Sequence, residues 1–431
     1  MNKKQIKIKN ELILNSLKKR HQKSFFLKSI GIFSIIITTI FITLLVFTII
    51  MSGKGAFYKT FITLDVNLNS ELLGISGDNE KELNFNDANY NLLLKKSLYK
   101  IFPEIKNRKD KKLLFRMISS NSEFLLKDYI QKHPQKLNQN VKLNFLVSDS
   151  VNLNYRYMIK NGSFPSWSTL TLEQKKIFTF LKNNNYLQER FNFGFFLNGD
   201  SRNPESAGLG GAIVGSFLTL ALTFVFSFPI GLLTAVYLEE YAKEGRIKDI
   251  IETNINNLAS VPSIIFGLLG LAIFLNVFHL PRSSPLVGAL VLTLMTLPTI
   301  IISSRSALQS VPHSYREAAY GIGASKIQVI LFHVLPQAFP GVFTGVIIGM
   351  AQALGETAPL LLIGMVAFVV EIPNSIMDVA TVLPVQIFLW SNNPERGFTE
   401  NTAGAIIVLL MFLFIMNIAA ILLRNKMEQK K

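Results

Sequence analysis

Cysteine is absent from all 431 residues, which excludes a disulfide, a thiolate metal site and a thiol nucleophile in this chain. The redox character of its compartment stays undefined by that route. Histidine is scarce, and the five His residues are scattered without the spacing a zinc site needs. No His-Glu-x-x-His or Gly-x-Ser-x-Gly pattern occurs. No Walker A run occurs either: Gly321-Ile322-Gly323-Ala324-Ser325-Lys326 has its glycines and lysine at the wrong spacing to cradle a phosphate. These absences argue against an intrinsic enzyme. Acidic residues are few beside basic ones, 28 against 44, for a net charge of +16. A basic balance of this kind also suits nucleic acid, but here much of it abuts an apolar run, where it is expected for membrane topology and anionic lipid.

What is present is apolar sequence in long blocks, within a chain that is 49% hydrophobic. A bilayer core of roughly 30 Å needs about 20 apolar residues in a helix. Six segments have that length, at 29–51, 207–237, 258–278, 286–304, 339–370 and 403–423. The fold expected is therefore an all-α polytopic membrane protein with about six transmembrane helices. The first block is too long for a signal-peptide core, usually roughly 7–15 residues, and no small-x-small cleavage site follows before Lys54, so an uncleaved anchor is expected. Lys3, Lys4, Lys7, Lys9, Lys18, Lys19, Arg20, Lys23 and Lys28 oppose only Glu11 in the N-terminal arm, and the tail carries Arg424, Lys426, Lys430 and Lys431. Since flanking Lys and Arg resist translocation, both termini are expected in the cytoplasm.

That topology divides the chain into a basic cytoplasmic arm (1–28), a first membrane helix (29–51), an extracytoplasmic region (52–205), a five-helix core (206–424) and a cytoplasmic tail (425–431). Within 52–205, Thr63-Leu64-Asp65-Val66-Asn67-Leu68 and Val141-Lys142-Leu143-Asn144-Phe145-Leu146-Val147 alternate at period two as strands do. Residues 90–102 and 111–131 are helix-like, and Thr171-Leu172-Glu173-Gln174 forms a capping box for a helix to about Lys182. An α+β domain follows, with Arg108-Lys109-Asp110-Lys111-Lys112 either as solvated charge or as part of a docking face for a soluble binding protein. In the core, the charged inner loop 239–257 reads as a solvated surface.

The second inner loop, 305–336, differs. Pro312 opens a helix, Ser314 and Glu317 have capping-box spacing, and Ala318 and Ala319 present almost no side chain to an approaching protein. Gly321 and Gly323 permit a sharp turn, and Pro336 blocks continuation before the next span. Glu317-Ala318-Ala319, Gly323 and Leu335-Pro336 resemble the Glu-Ala-Ala loop of ABC-transporter permeases, with one departure, His333 where an aliphatic residue usually stands. The resemblance covers roughly 201–423. It sharpens toward the PstA-like permeases of phosphate uptake at Ala353-Leu354-Gly355-Glu356-Thr357-Ala358-Pro359-Leu360-Leu361-Leu362, supported by Leu258-Ala259-Ser260-Val261-Pro262-Ser263-Ile264 and Leu383-Pro384-Val385-Gln386-Ile387-Phe388. The polar insertion also resembles that of a subgroup of these permeases.

The resemblance implies a type I importer fold in a bacterial inner membrane, with two ATPase subunits, a second homologous permease and an extracytoplasmic phosphate-binding protein as partners and no nucleic acid. It implies that ATP and its Mg²⁺ are bound by the ATPase, with no cofactor in this chain. Arg316, Glu317, Ala318, Ala319, Gly323, Leu335 and Pro336 are then the ATPase-coupling residues. The pathway candidates are Arg305, Gln352, Glu356 and Thr357. A carboxylate at membrane depth costs roughly 2.5–3.5 kcal/mol when unpaired, so Glu356 is read as pairing with an arginine or holding a gate, or as a structural hydrogen-bonding group. Arg305 suits an anion by its bidentate fork, or serves as a charge that sets topology. Related permeases often carry Arg where this chain has Gln352. Transport of another oxyanion such as molybdate or sulfate, and a membrane sensor using the α+β domain, are the alternative functions.

Overall fold

The computed structural model describes residues 3–74 and 88–428. They form two compact units, 1–52 and 53–431. In the first, the helix that begins at Lys3 runs on to Phe57, so the basic arm and the first apolar block form one element rather than two. It is apolar all round through the block, with Phe33, Ile36, Ile40, Leu44 and Phe47 all exposed, the pattern of a helix surrounded by lipid or by other helices. Thr38, Thr39, Thr43 and Thr48 each donate their hydroxyl to the carbonyl four residues back, which satisfies the polar atoms such a helix can least leave unpaired.

The second unit begins with a three-stranded antiparallel sheet in the order β2-β1-β3, where β1 is Tyr58–Asn67, β2 is Asn140–Leu146 and β3 is Leu187–Phe191. Ile62 pairs with Phe145 and Leu64 with Leu143. Because side chains alternate across a strand, Ile62, Leu64 and Val66 share one face, and helices 90–101, 122–132 and 172–183 bury it through Leu94, Leu98, Leu126, Ile130, Phe178 and Leu181. The Thr171–Gln174 capping box is present. Helix 111–131 was expected whole but is two, Arg108–Phe115 and Ser122–Lys132. Between them Ile118 bridges Val147, and the Ser119 amide donates to the Leu146 carbonyl, so sheet pairing draws the chain out of the helix. Strand β3 was not anticipated; its Leu-Gln-Glu-Arg-Phe sequence is mostly exposed and lacks the alternation that marks a half-buried strand, as charged edge strands do.

Among the described residues five helices are long and apolar enough to cross a membrane, or six when the pair Arg246–Ala259 and Ser263–Val277, bent by 100°, counts as one. The chain is thus a mostly helical polytopic membrane protein with a small sheet in its insertion. Pro285–Gln309 is the central core helix, packed between Gly210–Val236 and Leu335–Gly355. Small residues allow the close approach, as is common between membrane helices: a Cβ on Gly231 would meet Ile300 at 2.7 Å, and one on Gly341 would meet Ala307 at the same distance.

Two spans depart from expectation. The third was expected over 258–278, but its first part belongs to the separate helix Arg246–Ala259, and the turn falls at Ser260-Val261-Pro262. Proline pushes the residue before it out of the helical region, and Pro262 itself is extended, with ψ 135°. The fifth was expected over 339–370, but the helix starts at Lys326 and ends at Gly355. A short helix Ala358–Leu362 follows, and then irregular chain to Val382. The irregular stretch is tied down by bonds from the Leu286 amide to the Ile376 carbonyl and from the Ala380 amide to the Ser283 carbonyl. Pro336 does not block the helix, because the π-helical turn Val329–Val334 precedes it and the wider turn takes up the missing donor.

Candidate functional site

At one end of the bundle lies the helix His313–Gly321, which carries the Glu-Ala-Ala segment. Its N-cap is Pro312, with no side-chain cap bond, so the expected box of Ser314 and Glu317 is not made. The box sits further on, between Ser325 and Gln328. Arg316 anchors the helix: its guanidinium donates to Glu240 at 2.7 Å and to the backbone carbonyls of Leu308 and Val311 at 3.1 and 2.8 Å. Ala319 is 3% exposed and packs inward with Leu308, Val311, Val329, Val334 and Leu335, rather than facing out beside Ala318 as expected. Glu317, Ala318, Tyr315, Tyr320 and Ile322 form the exposed face, with Ile322 81% exposed. Of the two glycines, only Gly323 is left-handed, at φ +84°; it alone makes the turn. Leu335 is buried and Pro336 exposed.

Beside this helix part of the loop 239–257 is drawn into an ion-pair network through Glu239, Glu240, Lys248 and Glu252, while Lys243, Glu244, Arg246 and Asp249 stay exposed as expected. Arg305, at the end of the central helix, binds Glu239 at 2.6 Å and Glu252 at 2.7 Å. Lys248 joins Glu244 at 2.6 Å. The side chains of Glu239 and Glu240 retain only 12% and 9% of their exposure, so these carboxylates are partners rather than solvated charge. Glu239 and Glu240 close the π-helical turn Tyr237–Tyr241 that ends the second span. Three elements therefore meet through charge: the end of the second span, the helix Arg246–Ala259 and the start of the 305–336 segment. Sequence spacing held no signal for these pairings, which join residues 53 to 76 positions apart.

Further along, Thr344, Ile348, Gln352 and Glu356 recur every four residues on the fifth span. Ile348 and Gln352 are exposed, and Thr344 and Glu356 half-exposed. Among the described residues nothing hydrogen-bonds or pairs with the Glu356 carboxylate, so the structural bond to Thr357 considered from sequence is not made here. Glu356 is extended, with ψ 123°, just past the helix end, and Thr357 beside it is half-exposed. A Cβ on Gly267 would fall 2.7 Å from Pro359 Cα, so the segment that follows Leu258–Ile264 lies directly against the run containing Glu356. The structure thus brings Gln352, Glu356 and Thr357 together and sets Arg305 apart, in the network at the other end of the central helix.

A third polar cluster joins the α+β domain to the last span, Arg396–Glu428. Lys59, 1% exposed, donates to Asn401 Oδ1 at 3.2 Å, and Asn401 donates to the Pro204 carbonyl at 2.7 Å. Arg156 binds Glu400 and, at 3.2 Å, Glu189. Asp200 accepts from Gln386 at 3.0 Å and from Trp390 at 2.9 Å; burial lifts its pKa, and these bonds partly offset the rise. Neither Lys59 nor Asp200 stood out in the sequence, because their partners lie 342 and at least 186 positions away. Asp149 lies against Gly397 with its Oδ1 unpartnered.

Burial raises Asp149 to about 6, with Lys59 pulling against the rise, and burial also raises Glu205 and lowers Lys59. A carboxyl raised in the folded state contributes stability that is full below its ordinary range near 3.8 and is lost as pH climbs through about 6. Hydrogen exchange in the helix Asp149–Asn161, corrected for its intrinsic pH dependence, is expected to be slower at about pH 5 than at about pH 7. Asp149→Asn should flatten that difference. A pH-independent exchange rate in the wild-type protein would contradict the assignment.

Residues 227–430 match the family described as "Binding-protein-dependent transport system inner membrane component", and residues 15–163 match a "Domain of unknown function". The chain is 31% identical over 223 residues to "Phosphate transport system permease protein PstA 1" of Mycobacterium tuberculosis, covering 51% of this chain and 72% of the relative. It is 29% identical to "Phosphate transport system permease protein PstA" of Yersinia pestis, over 51% of this chain and 72% of that one. A solved inward-facing form of the MetNI methionine ABC transporter aligns at a TM-score of 0.41 and 20% identity, over 51% of this chain and 97% of that one. With a 31% identical relative matched over 72% of its length, the chain belongs to the PstA-like ABC-transporter permeases.

Proposed function

We propose that this chain is a membrane-spanning subunit of an ATP-driven importer of inorganic phosphate in a bacterial inner membrane, with both termini in the cytoplasm and the α+β domain outside. The observation that carries the reading is the helix His313–Gly321, which is held to its own bundle by Arg316 and Ala319 yet leaves Glu317, Ala318, Tyr320 and Ile322 uncovered. A surface fixed on one side and bare on the other suits a rigid docking element. Two ATPase subunits would supply ATP and Mg²⁺, so this chain itself holds no cofactor and carries out no catalysis. A second homologous permease and a phosphate-binding protein complete the assembly. Phosphate as substrate is supported by the names of the relatives at about 30% identity.

Closure of the ATPase dimer pushes on His313–Gly321, and the push passes through the Arg316–Glu240 and Arg305–Glu239 pairs to the second span and through the Arg305–Glu252 pair to the helix Arg246–Ala259 that leads into the third. Spans tilted in this way alternate the access of the pathway, as packed helices do in rigid-body switching. In this scheme Arg305 braces the mechanism, whereas Gln352, Glu356 and Thr357 line the pathway or its gate. Repulsion from phosphate makes Glu356 a gate or the partner of an arginine on the second permease rather than a direct ligand.

The test is ATPase activity of the co-purified complex in lipid with the binding protein present, comparing wild type with Glu317→Lys. Phosphate is expected to stimulate hydrolysis severalfold, and the substitution to remove that stimulation. Stimulation by molybdate or sulfate alone would keep the machine and discard phosphate; a complex with no ATPase would refute the transport reading in favour of a sensor.

A further inference from the structure

The helix Arg246–Ala259 has no fully buried residue. Its residues sort into three faces at 100° per residue. Lys248, Glu252 and Ile255 turn toward the bundle, where Glu252 binds Arg305. Asp249, Thr253, Asn256 and Asn257 make a polar face. Ile247, Ile250, Ile251 and Leu258 make an apolar stripe that the described residues leave uncovered, with Ile247 77% and Ile250 61% exposed; exposed Asn254 interrupts it and turns its amide back onto the Ile250 carbonyl at 2.7 Å. An uncovered stripe of this kind needs an occupant.

The geometry points to lipid. The helix is bent by 100° from Ser263–Val277, which packs against Ala358–Leu362 and the central helix as part of the membrane bundle. A helix nearly perpendicular to a spanning segment runs along the membrane surface. Exposed Lys243 and Arg246 stand at its start, suited to phosphate headgroups. An amphipathic helix with Lys243 and Arg246 about its start, beside exposed Glu244, and one apolar face, lying at the end of a membrane span, fits the interface between headgroups and acyl chains. We propose that Arg246–Ala259 is an interfacial helix that rests Ile247, Ile250, Ile251 and Leu258 in the bilayer boundary, beside the membrane entry of the third span. Glu252 and Arg305 hold its orientation, so lipid contact at the stripe reaches the end of the central helix through one ion pair.

The inference rests on the membrane-spanning fold and not on the substrate, so the two can fail separately. Because the native sequence contains no cysteine, single nitroxide labels can be placed on Ile250→Cys, Leu258→Cys and Asn256→Cys, all at exposed positions. The assembled complex is reconstituted in vesicles of phosphatidylethanolamine and phosphatidylglycerol, and relaxation by oxygen is compared with relaxation by a water-soluble nickel chelate. Labels at 250 and 258 are expected to favour oxygen, and the label at 256 the nickel chelate. Nickel access at 250 and 258 equal to that at 256 would place the stripe in water and overturn the proposal. Low access to both reagents at 250 and 258 would mean that another subunit covers it, which also overturns the proposal.

Discussion

Gly323→Asp is expected to bring phosphate uptake down to the background of a strain lacking the permease, while the protein stays in the membrane at its normal level. Gly323 is left-handed at φ +84°, and no atom lies within 4 Å of where a Cβ would stand. A side chain therefore has room, and the backbone strain is roughly 1–2 kcal/mol, less for Asp, which visits this region more readily than most residues. The fold survives such a cost. What changes is the proposed docking face, which gains a carboxylate beside exposed Ile322. Radiolabelled phosphate uptake set against an immunoblot of membranes measures both halves of the expectation. Gly323→Asn, of the same shape without the charge, should retain part of the uptake. Full uptake by the Asp variant would remove Gly323 from the coupling surface.

Arg316→Ala should act through the scaffold instead. It strands Glu240, whose side chain is 9% exposed, and takes the donor from the Leu308 and Val311 carbonyls. Breaking a fully buried pair by removing one partner costs about 3–5 kcal/mol; this pair is part-buried, so the expected cost is below that range. The expected result is a lower melting temperature of the complex in lipid, and loss of substrate-stimulated ATPase through a loosened helix. Adding Glu240→Gln to the same chain should recover part of the stability, since it removes the stranded charge. A double-mutant cycle measures the coupling. If Arg316→Ala melted like wild type, Arg316 would not be the anchor.

These two positions mark what the sequence made legible. Gly323, Glu317 and Leu335-Pro336 lie within a stretch of about twenty residues, so their relation was open to a motif. Hydropathy likewise exposed the spans, because lipid demands a run of apolar residues whatever the tertiary packing. It placed their ends poorly wherever the end is decided by backbone geometry, as at Pro262 and at Gly355. The partners of Arg316 and Arg305 were hidden for a different reason: charge composition cannot tell a solvated loop from a paired one, and Glu239, Glu240 and Glu252 find their arginines only when the second and fourth spans pack. Strand β1 could be anticipated from Thr63 onward, where Leu64, Val66 and Leu68 alternate with polar residues. Its first half could not, because Lys59 and Thr60 are buried there by polar pairing with Asn401 and Asn152.

That pairing of Lys59 and Asn401 bears on how the chain can be dissected. The α+β domain is grafted onto the transporter rather than hung from it. Cutting it away would strip Glu400 of Arg156 and Asn401 of Lys59, leaving two bare polar side chains on the flank of the last span. A truncated core would have to carry apolar replacements at 400 and 401 to be soluble in detergent as a single species. Equally, in the proposed alternation any tilt of the last span would carry the whole domain with it, so a fluorophore on its far surface would act as a pointer that magnifies the movement.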